Sequence, residues 1–192
     1  HGQAYAQPGL DYLLRLVVRR IVVGNLGTGN VERKFSEAAR RVASEGSWSP
    51  LRSELEELDP DKDDFVDQLR KRSLNKGTLA FLRRCVIQAT ITPNPDGILH
   101  FIWPKNAGAN WNISEEDGSY WASTIGNTLL SALNRRPSEA SEDWSGFKDA
   151  MLPNACEGEL VDRLQRVNDW NVTEIEAVGE EVANAAGAIW YP

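Results

Sequence analysis

The sequence predicts a mainly helical α+β fold. A helical lobe over residues 1–92 precedes a second domain, 93–192, built on two short strands set among further helices. Three observations predict it. Apolar residues recur at helical spacing through most of the first part, as in Leu10, Leu13, Leu14, Val17, Val18 and Ile21. Pro93-Asn94-Pro95-Asp96-Gly97 is the strongest turn signal in the chain. Ile98 to Trp103 then reads as a short strand stopped by Pro104, and Thr128-Leu129-Leu130 as a second one.

The elements follow in order. The first helix covers Leu10 to Val23 and is broken by the glycine-rich stretch Gly24 to Asn30. That stretch lacks the Gly-Lys-Ser/Thr ending of a phosphate loop and reads as a helix–helix connector. Val31 to Ala43 resumes as a helix with Phe35, Ala38, Ala39 and Val42 on one face, and Ser49-Pro50 opens another over Leu51 to Leu58. The acidic run Asp59 to Asp64 lacks the glycine and closing glutamate of a calcium loop. It suits the start of a helix from Asp64 to Arg72, where carboxylates complement the dipole. Asn75 caps a helix from Lys76 to about Thr90, with Leu79, Leu82, Val86 and Ile87 toward a core and Arg83 and Arg84 on its flank. Beyond the first strand, 105–119 reads as a loop, and Ser131 to Asn134 would enter a helix. Helices are expected over Trp144–Leu152, Leu160–Val167 and Val172–Ala188.

Composition narrows function. Hydrophobic residues at 41% and charged residues at 26% suit a globular chain of 192 residues with a real core. The net charge of −7 excludes uniform basic wrapping of nucleic acid. Residues 1–104 carry 15 Lys/Arg against 13 Asp/Glu, whereas 105–192 carry 6 against 15, so a polyanion would meet the first part or local basic spots in the second. Two cysteines and two histidines cannot build a zinc finger or ribbon. Cys85 and Cys156 read as free thiols of a reducing compartment, and a cytoplasmic location is expected. The apolar stretch Leu10 to Val23 is interrupted by Arg15, Arg19 and Arg20, so no membrane partner is expected. The chain opens on His1 rather than methionine and reads as a piece of a longer protein. Seven tryptophans, at no single helical spacing, read as core packing rather than base-stacking platforms.

One constellation carries chemistry. It runs Leu99-His100-Phe101-Ile102-Trp103-Pro104-Lys105-Asn106, then Ile125-Gly126-Asn127-Thr128-Leu129-Leu130, then Leu133-Asn134-Arg135-Arg136, then Phe147-Lys148. In this order the segments resemble the C-terminal HNH (His-Me finger) nuclease domain of GmrSD-type modification-dependent restriction enzymes. SspE-like phosphorothioate-sensing antiphage effectors belong to the same group. Val18-Arg19-Arg20, the Asp64-Phe65 helix, the helix from Asn75, Trp170 to Ile175 and Ala188-Ile189-Trp190 resemble further parts of that domain, so the resemblance covers nearly all of the chain.

The resemblance implies a ββα-metal core in which two strands and a helix hold one Mg²⁺ or Mn²⁺ beside the scissile phosphate. A histidine on the first strand takes a proton from the attacking water, and an asparagine at the second strand orients it. Carried over, His100 is the catalytic and metal-site candidate, Asn127 the orienting asparagine and Asn134 the metal ligand; Lys105, Arg135, Arg136 and Lys148 become phosphate contacts. Aligned on Pro104, however, the general-base histidine falls on Phe101, and His100 sits one place earlier. A one-residue slip turns a strand side chain to the opposite face. Either a bulge returns His100 to the site or the base is absent. The expected function is a DNA nickase or endonuclease effector of a restriction or antiphage protein, partnered by DNA and by an upstream nucleotide-dependent sensor domain. The alternative is a catalytically degenerate HNH-like domain that binds DNA or regulates its partner domain. A helical interaction module is the third reading.

Overall fold

A computed structural model describes residues 2–25, 27, 29–104, 110–111 and 113–192. They form nine α-helices and one two-stranded antiparallel sheet, a mainly helical α+β fold. The chain divides into two compact units, His1–Phe65 and Val66–Pro192. No helix among the described residues is long and apolar enough to cross a membrane.

The first unit contains α1 (Gly2–Val23), α2 (Gly29–Glu45) and α3 (Leu51–Leu55). Gly24, at φ 88°, ends α1 in the left-handed region that glycine tolerates, and its N–H returns to the Arg20 carbonyl. Leu16, Ala38, Leu51, Leu55 and Leu58 form the core, with Tyr12, Phe35 and Trp48 packed around it. The arginines of α1 serve this packing. Arg19 grips Asp59 with two hydrogen bonds of 2.9 and 2.7 Å, and Arg20 donates to the Leu58 carbonyl at 2.7 Å. Asp61 accepts from the Asp64 N–H at 2.8 Å, so the acidic run does start a helix, α4 (Lys62–Lys71).

In the second unit Asn75 caps α5 (Lys76–Gln88) by accepting from the Thr78 N–H at 2.9 Å. The turn at 93–97 lies within this unit, tied to α5 itself. Arg84 donates to the Asp96 and Gly97 carbonyls, and Gln88 exchanges hydrogen bonds with the Asn94 backbone. Strand β1 (Ile98–Phe101) pairs antiparallel with β2 (Thr128–Ser131) in the continuous register Ile98↔Ser131, Leu99↔Leu130, His100↔Leu129, Phe101↔Thr128. The remaining helices are α6 (Glu115–Trp121), α7 (Trp144–Met151), α8 (Gly158–Arg166) and α9 (Val172–Trp190).

Three expectations need correction. The helix anticipated from Ser131 does not form. Ser131 bridges Ala155, the Ala132 N–H donates to Asn154, and the Cys156 N–H donates to Leu130, so the chain there is held extended. Part of the stretch read as a loop is α6, whose Ser114 cap accepts from the Asp117 N–H at 3.1 Å. Arg83, placed on a flank, is 1% exposed and paired with Glu157.

The 3₁₀ turn Ile125–Asn127 packs closely on α9. A Cβ at Gly126 would lie 2.0 Å from the Ile175 carbonyl oxygen and 2.8 Å from the Gly179 nitrogen. Only glycine permits this approach of backbone to helix. It carries the residue after it, Asn127, into the core.

Candidate functional site

Asn127 is fully buried, and its side-chain carboxamide makes four hydrogen bonds. Its Oδ1 accepts from the Trp103 N–H at 2.8 Å and the Trp170 indole N–H at 3.1 Å; its Nδ2 donates to the carbonyls of Trp103 at 3.1 Å and Ala122 at 3.0 Å. A carboxamide has two donors and two acceptor lone pairs, so this one is saturated. What it fixes is the exit of β1: Trp103 is held at both its N–H and its C=O, and the Ile102 N–H reaches the Asn127 carbonyl at 2.9 Å.

His100 and Asn127 share no hydrogen-bond partner. The His100 Nε2 lies 2.9 Å from the Leu133 carbonyl, an acceptor, so Nε2 carries the proton and Nδ1 the lone pair. The ladder passes through His100 and Phe101 without a bulge, which leaves Phe101 at the position where the resemblance expects the base. The Phe101 carbonyl is in turn held by Arg136, which also donates to the Ile102 carbonyl at 3.0 Å and to the Ala140 carbonyl. The Arg136 guanidinium lies 5.0 Å from the Phe147 ring centroid and 5.8 Å from that of Trp111. Burial pushes its pKa down to about 10, still well above neutral, so it remains a cation.

The other candidates scatter. Asn134 and Arg135 are exposed on the bend after β2 rather than on a helix. Lys148 packs over Trp144 at 5.5 Å, with its Nζ 3.3 Å from the Val167 carbonyl. Lys105 lies outside the described residues. Arg136 and Lys148, read as phosphate contacts, are thus engaged with main-chain carbonyls and aromatic rings. On α4, Arg70 and Lys71 both pair with Asp67. Five of the seven tryptophans pack as core, with Trp144 stacked on Trp170 at 5.4 Å and on Phe147 at 5.5 Å, whereas Trp48 and Trp121 are half-buried.

These residues do not fit a divalent cation. Mg²⁺ and Mn²⁺ take hard oxygen ligands, usually including a carboxylate. The charged groups acting on His100 are Lys76 and Arg136, both cations, and the Asn127 oxygen already accepts two hydrogen bonds. Among the described residues no group of three or more His, Cys, Asp or Glu converges.

Burial lowers the His100 pKa below its usual 6.5; Lys76 and Arg136 lower it further, against the hydrogen bond to Leu133, which raises it. The unfolded chain therefore protonates this imidazole first as pH falls. Its contribution to stability is complete above about 6.5 and is lost as pH drops toward the folded value. Urea midpoints measured across this range should fall more steeply with acid in the parent than in His100→Gln. Superimposed profiles would show that no buried neutral imidazole is being titrated.

Compared with protein-family models, curated proteins and solved structures, the chain matches none. Sequence reasoning singled out Asn127 but missed its partner Trp170 and the carbonyl-binding role of Arg136. The only available signal for the latter was its proximity in sequence to an aromatic-rich segment around Trp144 and Phe147.

Proposed function

We propose that this chain is a His-Me-finger-like domain of a restriction or antiphage protein that contacts DNA without hydrolysing it, under the control of a nucleotide-dependent sensor domain elsewhere in the same protein. The observation that carries the reading is the unbroken register of β1 on β2. It sets Phe101 opposite Thr128, and a phenyl ring accepts no proton. The imidazole beside it donates to Leu133, and the asparagine expected to orient a base is fully occupied by Trp103, Ala122 and Trp170. The antiparallel β1–β2 pair supports kinship with the two strands of that core, and the chemistry beside it supports binding over cleavage. For that binding the bend after β2 offers Asn134 and Arg135. Arg135 makes no hydrogen bond or ion pair among the described residues, which leaves it available to a phosphate.

The test is a supercoiled plasmid incubated with the chain and Mg²⁺ or Mn²⁺, beside a gel shift on short duplex DNA. The plasmid should stay supercoiled. The duplex should shift at low salt, weaken as salt rises, and lose most of its shift with Arg135→Glu. Metal-dependent open circles that vanish in His100→Ala would overturn the proposal in favour of a nickase. No shift at any salt would overturn it in favour of an interaction module.

A further inference from the structure

The first unit contains a cleft that none of the preceding chemistry uses. Its volume is about 490 Å³, within the range of small-molecule sites. Its walls include Pro8, Gly9 and Tyr12 of α1, Trp48 of the α2–α3 connection, and Leu51 and Arg52 of α3. The Trp48 indole lies directly on α1 at Gly9, where a Cβ would come within 2.4 Å of the ring. A glycine is therefore required for the aromatic wall to sit where it does. Trp48 and Tyr12 are each only half-buried, unlike the enclosed tryptophans Trp144, Trp170 and Trp190.

One charged side chain completes the cleft. Arg52 is the one charged residue of the lining; it is exposed and makes no hydrogen bond or ion pair among the described residues. Half-exposed aromatic rings, a proline and an unengaged guanidinium, with no carboxylate in the lining, favour a planar ring that carries negative charge. We propose that this cleft binds a nucleotide, with the base against Trp48 and Tyr12 and the phosphate on Arg52. Aromatic stacking beside a cationic contact is how single-stranded nucleic acid is held without sequence preference. The same chemistry would also take a free mononucleotide. The cleft is independent of the bend at Arg135, so the duplex shift and this proposal can fail separately.

The experiment follows the Trp48 indole N–H resonance of the full chain by NMR during titration with dAMP, deoxyadenosine and a single-stranded hexamer of deoxyadenosine nucleotides. We expect saturable dAMP binding that moves the Trp48 signal, and deoxyadenosine binding at least about tenfold weaker. Arg52→Gln, a change at an exposed side chain, should bring dAMP down to the level of deoxyadenosine. Trp48→Leu should weaken both ligands by about tenfold or more, and Gly9→Ala, which displaces the indole, should do the same. Should the two cleft-wall variants unfold, Arg52→Gln and the missing phosphate still carry the test. A hexamer that binds much more tightly than dAMP identifies a strand as the source, and equal affinities identify a free nucleotide. The proposal is overturned if neither ligand saturates, if Arg52→Gln leaves dAMP binding unchanged, or if a proline-rich peptide moves Trp48 where nucleotides do not.

Discussion

Asn127→Ala is expected to destabilise the folded chain by about 4 kcal/mol, with no DNA or metal present. The substitution removes a small volume but leaves four groups without their partner: the buried Trp103 N–H and C=O, the buried Trp170 indole N–H and the part-buried Ala122 C=O. An orphaned buried polar group costs roughly 1–3 kcal/mol, and partial relaxation or water entry recovers some of the total. A loss of about 4 kcal/mol is nearly a thousandfold in the folding equilibrium. It would appear as a large drop in the urea midpoint. The same measurement separates two roles for this residue. An asparagine whose work is to orient a catalytic histidine can be truncated with little effect on the midpoint. An asparagine that pins the exit of β1 to Trp170 cannot. An unchanged midpoint would therefore remove the structural role and return Asn127 to the candidate chemistry.

The local parts of this fold were legible because their causes are local. Asn75 caps α5 through the Thr78 N–H, and the apolar period of α9 is readable without knowing what it packs on. The two short strands were recognisable from their turn signal and their apolar runs. Where a local signal was present and unused, as in Ser114-Glu115-Glu116-Asp117 at the start of α6, a helix was missed. The other misses have distant causes. The chain after Ser131 stays extended because residues 154–156 pair with it, and nothing near Ser131 announces that. The candidate site divides in the same way. Gly126-Asn127 stood out as a pair, but the glycine is required by Gly179 and the amide by Trp170, both more than forty positions away. Charge was the hardest to read. Arg83 and Arg136 look on paper like surface cations available to phosphate. Folding buries Arg83, half-buries Arg136 and sets each on a partner that only the tertiary structure supplies.

Arg83 provides the second large effect. Its side chain and that of Glu157 are 2% and 8% exposed, and the pair joins α5 to the segment that precedes α8. Glu157 uses its other oxygen to accept from the Leu130 N–H at 3.0 Å, so the same carboxylate also fastens β2. Arg83→Met keeps much of the apolar volume but leaves a buried carboxylate without its cation, and a loss of about 3–5 kcal/mol is expected. Glu157→Gln alone strands the guanidinium, at a similar cost, while keeping an oxygen for Leu130. Combining the two substitutions removes both charges together. Because desolvating an ion pair offsets most of its attraction, the double variant should recover much of the loss and lie within about 2 kcal/mol of the parent. Denaturant unfolding of the four chains closes the cycle. A coupling of at least about 4 kcal/mol is expected between the sites. If the two losses simply add, Arg83 and Glu157 contribute by separate packing, and the ion pair is not what ties α5 to β2.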